Sequence, residues 1–153
     1  KQGTPRLAER IDLLLAELSR SRSKIIIPTP ALSEFLAKAD VSILEKIHAT
    51  TSFVVAPFDE RAAIEAAEMT KNAIREGDKK VPVVAATWSK IKFDRQIVAI
   101  AKVEGAEAIY STDPEIAKHA KKVGLACFGI ADLPMPPAVQ DSLPSLEPPI
   151  PPT

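Results

Sequence analysis

Three carboxylates carry the chemistry that can be read from this chain: Glu34, Asp94 and Asp113. Asp94 is the most informative, because it interrupts an apolar periodicity. The run Lys90-Ile91-Lys92-Phe93-Asp94-Arg95-Gln96-Ile97-Val98-Ala99-Ile100-Ala101-Lys102 reads as a helix that opens near Asp94 and extends to about Glu104. At ~100° per residue, Ile97, Val98 and Ala101 fall within about 60° of Asp94. An ionised carboxylate on such a face is costly unless a cation, a metal or hydrogen-bond donors compensate it. Asp94 is therefore either a first-turn residue favoured by free N–H groups and the helix macrodipole, or part of a site. Asp113 is open to the same two readings. It precedes Pro114, and Thr112-Asp113-Pro114-Glu115 scans as a capping box. Glu34 lies opposite the apolar stripe of its own helix and beside Lys38, where a solvated i,i+4 ion pair is expected.

The elements that must hold these groups alternate between strand and helix. Residues 5–21 form a helix on the spacing of Leu7, Ile11, Leu14, Leu15 and Leu18, with Thr4 as N-cap and Pro5 at the first position. Residues 24–28 are a β-branched run closed by proline, the pattern of a buried parallel strand. Thr29 caps the next helix, whose apolar face is Leu32, Phe35, Leu36 and Ala39, and a short helix follows at about 42–49. A strand at 52–56 leads to a long helix at 59–76, capped by Asp59 and turning Ala63, Ile64, Ala67 and Ile74 inward. Residues 77–80 break the pattern, and 81–89, with Pro82 and Trp88, are ambiguous. After the Asp94 helix, ended by Gly105, come a strand at 107–111, a helix at 114–123 ended by Gly124, and a strand at 125–130.

This alternation predicts an α/β fold with a mainly parallel central sheet, helices on both faces and right-handed crossovers. In such sheets ligands bind beyond the carboxyl ends of the strands, so Glu34, Asp94 and Asp113 are expected to face one cleft. Clustered carboxylates repel one another, and a hard divalent cation resolves the repulsion; oxygen ligands at about 2.0–2.1 Å suit Mg²⁺, with Mn²⁺ serving similarly. A cation so held activates water and stabilises charge on a phosphodiester, so the implied reaction is phosphodiester hydrolysis. Lys90, Lys92 and Arg95, with Lys79 and Lys80, flank the Asp94 helix and either meet substrate phosphates or form a solvated loop.

The bulk numbers narrow the field without naming a function. With 153 residues and 46% hydrophobic content the chain supports one core, expected over residues 1–133. Twenty basic and twenty acidic side chains cancel, so no global field announces nucleic acid. The single cysteine, Cys127, sits in an apolar run, which excludes an intramolecular disulfide framework and fits a cytoplasmic protein. No apolar run approaches the ~20 residues of a membrane span, and no leader is evident. Residues 134–153 hold eight of the fourteen prolines, and Pro134–Pro137 and Pro148–Pro151 each match P-x-x-P, so they are expected to form an extended tail, a linker or a docking segment. His48 and His119 are isolated helix residues without metal-ligand spacing. Gly-rich phosphate loops, G-x-S-x-G and H-E-x-x-H are all absent from the sequence.

Three segments resemble the PIN-domain ribonucleases, to which the VapC-like toxins belong. Ile26-Ile27-Pro28-Thr29-Pro30-Ala31-Leu32-Ser33-Glu34-Phe35-Leu36 is similar to the family's strand-to-helix segment with its acidic residue. Lys92 to Ala101 is similar to the segment carrying the next aspartate, and Ala108-Ile109-Tyr110-Ser111-Thr112-Asp113 to the strand delivering the last. The resemblance spans roughly residues 4–133. It implies a PIN-like three-layer fold and Mg²⁺- or Mn²⁺-dependent endoribonuclease activity on RNA. Glu34, Asp94 and Asp113 would be metal ligands, and Ser111 or Thr112 would help orient water on the ion. It further implies a homodimer, for which the two N-terminal helices offer an apolar face, and, for a toxin, an antitoxin protein as partner. The family opens with a strand ending in another aspartate, whereas residues 5–21 here read as a helix, and Asp12 lies mid-helix between Ile11 and Leu13. That strand is then expected before Lys1, or the chain is a catalytically inactive PIN-like module that binds RNA or protein.

Overall fold

Helix α5, Ala85–Val103, is the axis of the molecule. Ile97, Val98, Ala99, Ile100 and Ala101 are all buried, so this stretch is enclosed on every side. The computed structural model describes residues 4–77 and 85–135, with only the backbone of 85–88. Lys79, Lys80, the Trp88 side chain and the tail beyond residue 135 lie outside the described residues, as do residues 81–84 of the ambiguous stretch.

Around α5 the chain runs α1 (Leu7–Arg20), β1 (Ile25–Pro28), α2 (Thr29–Leu36), α3 (Ile43–His48), β2 (Phe53–Ala56) and α4 (Glu60–Arg75); after α5 come β3 (Ala108–Tyr110), α6 (Pro114–Lys122) and β4 (Ala126–Phe128). A single 3-10 turn at Ile130–Asp132 follows. The fold is mixed α/β and its strands are parallel, as the alternation of elements predicts. The described strands do not form one central sheet, however. β1 pairs with β2, Ile25 opposite Phe53 through Pro28 opposite Ala56, and β3 pairs separately with β4, Ala108 opposite Ala126 through Tyr110 opposite Phe128. Helix α5 packs against β1, α2, α4 and α6, so both ends of the fold are tied to one helix.

The core joins Ala56, Ala62 and Met69 to Ile97–Ala101, Ile109, Ile116 and Ala120, with Ile26, Ala66 and Cys127 packed on its margin. Alanines at 62, 99, 101 and 120 let helix backbones approach closely, and Ile100 and Val98 are the largest side chains wholly enclosed. Helix α4 turns a different face inward from the one expected. Ala62, Met69 and Ala73 are buried, whereas Ile64 and Ile74 are 60% and 68% exposed. The spacing of the larger apolar residues pointed to the wrong stripe because small alanines are what the α4–α5 contact accommodates.

Helix starts also moved. Thr4 and Pro5 do not begin α1, whose N-cap is Arg6 at φ 52°, and Thr29 does not cap α2. Strand β1 runs straight into α2 through Pro28, and the Thr29 hydroxyl instead accepts the Phe58 N–H at 3.2 Å, linking the ends of β1 and β2. Asp59 does cap α4, accepting the Ala62 N–H at 3.0 Å. Gly105 and Gly124, at φ 69° and 78°, end α5 and α6 in the left-handed region, and the next N–H returns to the helix in each case, Ala106 to Ala101 and Leu125 to Ala120, both at 2.9 Å. These two glycine caps aim the chain directly into β3 and β4.

Candidate metal centre

Asp94 lies in the interior of α5 rather than at its start, since the helix begins at Ala85. A first-turn role is thereby excluded: the N–H groups around Asp94 belong to the helix ladder. Its residue is only 5% exposed, so the compensation its burial demands must come from a cation. Lys90, one turn earlier, supplies it. The Lys90 Nζ donates to Asp94 Oδ2 at 3.0 Å and to Asp113 Oδ2 at 2.7 Å.

Asp113 reaches the same ammonium from another part of the chain. β3 ends at Tyr110, the Ser111 Oγ accepts the Asp113 N–H at 3.1 Å, and Asp113 then stands at the N-cap of α6 with Oδ1 accepting the Glu115 N–H at 2.9 Å. Capping and site membership are therefore not alternatives for Asp113, because each carboxylate oxygen does one of them. The Lys90 hydrogen bond, reinforced by the α6 backbone, holds the Asp113 carboxyl below the ordinary carboxylate range, and the two aspartates hold the Lys90 ammonium above the usual lysine value, with Asp113 the stronger. Both effects keep Lys90 and Asp113 charged at neutral pH.

The remaining expected site residues are placed differently. Ser111 shapes the turn into Asp113, and Thr112 beside it is exposed. Glu34 is exposed on α2, and among the described residues no group of three His, Cys, Asp or Glu side chains is arranged to hold a metal. Lys92 is exposed. Arg95 is 8% exposed, and its guanidinium donates to the Thr70 hydroxyl at 3.1 Å between α5 and α4. It helps line an open groove floored by Phe58, Ala66 and Ala67.

Two features escaped the sequence reading. The sequence leaves Lys90 either meeting substrate phosphates or in a solvated loop, yet it pairs with the carboxylates; the i,i+4 spacing to Asp94 is the signal that identifies it. His119 is buried, with Nε2 lacking a hydrogen-bond partner among the described residues. Its spacing with Ile116, Ala120 and Val123 marks the inward face of α6. Burial first, and then the nearby Arg95 charge, lower its pKa.

The donor chemistry suits a hard cation. Two carboxylate oxygens from separate elements converge on one positive charge, and Mg²⁺ is commonly held by one or two carboxylates with water and substrate oxygens filling its other positions. No protein-family profile matches this chain, and no curated protein matches it. Among the described residues no helix is long and apolar enough to cross a membrane.

Proposed function

We propose that this chain is a PIN-like, Mg²⁺- or Mn²⁺-dependent endoribonuclease, with Asp94 and Asp113 as the metal-holding pair. One observation carries the reading: a carboxylate buried inside α5 and another at the end of β3 converge on a single cation at 3.0 and 2.7 Å. A divalent ion bound there supplies charge stabilisation and water activation for phosphodiester hydrolysis. Asp94 is held rigidly by the core helix, Asp113 by its cap to α6, and Ser111 by the turn between them, so the pair is set in place before any ligand arrives. Lys92 is exposed and lines the groove beside Arg95, from which it would meet a substrate phosphate.

The exposed position of Glu34 favours a second reading, a PIN-like module that binds RNA or protein without cleaving it. Incubation of labelled RNA with Mn²⁺ or Mg²⁺ separates the two. The nuclease cleaves only with metal, and Asp94→Asn abolishes cleavage while the far-ultraviolet dichroism is retained. RNA retention without cleavage supports the binding module, and cleavage that survives Asp94→Asn removes Asp94 from the metal site.

A further inference from the structure

Lys90 has a position that a phosphate-binding lysine does not need. Its ammonium bridges Oδ2 of Asp94 and Oδ2 of Asp113, the two oxygens that converge on a cation. An ammonium on these oxygens competes with a divalent ion for them, because the ion requires oxygen contacts at about 2.0–2.1 Å and would repel a second positive charge so close by. Each cation therefore weakens the hold of the other. The Asp94 side chain is 7% exposed and fixed on the core helix, while the Lys90 side chain is 51% exposed on a flexible stem, so the lysine is the movable member.

We infer that Lys90 is the resident counter-cation of the carboxylate pair, which holds the site closed in the metal-free protein and yields it to a divalent ion. This inference rests on the metal-centre reading above and adds a consequence to it: the lysine sets a threshold of metal concentration below which the site stays shut. It also explains how Asp94 tolerates burial without metal, since an unpaired carboxylate there would be strongly destabilising. By linkage, whatever separates Lys90 from the aspartates tightens metal binding, and metal in turn releases Lys90 toward solvent and substrate.

Direct titration of the full chain with Mn²⁺, followed by the electron paramagnetic resonance of the free ion, tests the competition. Lys90→Met is expected to bind Mn²⁺ at least about tenfold tighter than the wild type, and Lys90→Arg, which keeps the charge, no tighter than the wild type. Lys90→Gln provides the same reading if the methionine variant does not fold. In the wild type, the side-chain carbon resonance of Lys90 should shift when diamagnetic Mg²⁺ is added, and the shift should be absent in Asp94→Asn. If the wild type binds Mn²⁺ in an Asp94-dependent way but Lys90→Met binds no tighter, the counter-cation role is overturned and the metal centre stands. If neither protein takes up Mn²⁺ and Mg²⁺ leaves the Lys90 resonance unmoved, both are overturned.

Discussion

Asp113 and Lys90, 23 residues apart in sequence, meet at 2.7 Å, and the same aspartate caps α6 through its other oxygen. The side chain therefore couples the charge of the site to the integrity of a helix.

Substitution separates the two roles. Asp113→Asn keeps a good N-cap but removes half of the Lys90 pairing, whereas Asp113→Ala removes both and should be less stable than the asparagine variant by about 1 kcal/mol in urea unfolding at pH 7. Acid adds a second readout. Because the folded carboxyl is lowered, its contribution is present above the unfolded carboxylate value and is lost as the pH falls through the lower folded value. The wild type should consequently lose stability more steeply than Asp113→Asn in that acid window.

His119 predicts a pH effect nearer neutrality. Its folded pKa is lowered from 6.5 by burial and the Arg95 charge, so as pH falls through that value the unfolded chain takes up a proton before the folded protein does. The stability contribution is complete above the unfolded value and declines down to the folded one, below which no more is lost. Urea unfolding at several pH values between about 7.5 and 5 should show this decline in the wild type and a flatter profile in His119→Leu.

What the sequence made legible follows the strength of each local signal. Gly105 and Gly124 marked two helix ends because only a left-handed residue makes those caps cheaply, and the β-branched runs at Ile25–Ile27 and Phe53–Val55 marked β1 and β2. The Asp94 misfit was legible as a buried carboxylate in need of a cation. Its position within the helix was not, because the residues that extend α5 back to Ala85 carry no clear period. The inward face of α4 was hidden for a related reason: alanine contributes little to an apolar pattern but decides how closely two helices pack. Which strands pair, and that Glu34 stays apart from the two aspartates, depends on contacts between distant segments that no local spacing encodes.

Arg10 holds the C-terminal turn onto α1. The side chain is buried, and its guanidinium donates to the carbonyls of Pro5 at 3.1 Å, Ala131 at 3.2 Å and Leu133. Arg10→Met keeps the apolar stem and leaves those carbonyls without their charged donor, which should cost about 2–3 kcal/mol in urea unfolding. Limited proteolysis should then cut near residues 130–135 much faster than in the wild type, and equal cutting rates would show that the turn is held by other contacts.

Arg22 offers the opposite kind of test, a substitution that should stabilise. It follows α1 at φ 56°, in the left-handed region, while the Ser23 N–H returns to the Leu18 carbonyl at 2.9 Å. This is the helix ending that Gly105 and Gly124 make, built here on a residue whose Cβ disfavours it by roughly 1–2 kcal/mol. Arg22→Gly removes that strain, and the greater freedom of glycine in the unfolded chain returns part of the gain. The net expectation is about 0.5–1 kcal/mol of added stability, read as a higher urea midpoint with an unchanged slope. A destabilised variant would mean that the Arg22 side chain makes a contact worth more than its backbone strain, and Arg22→Asn, which tolerates the same backbone region, would then be destabilised as well.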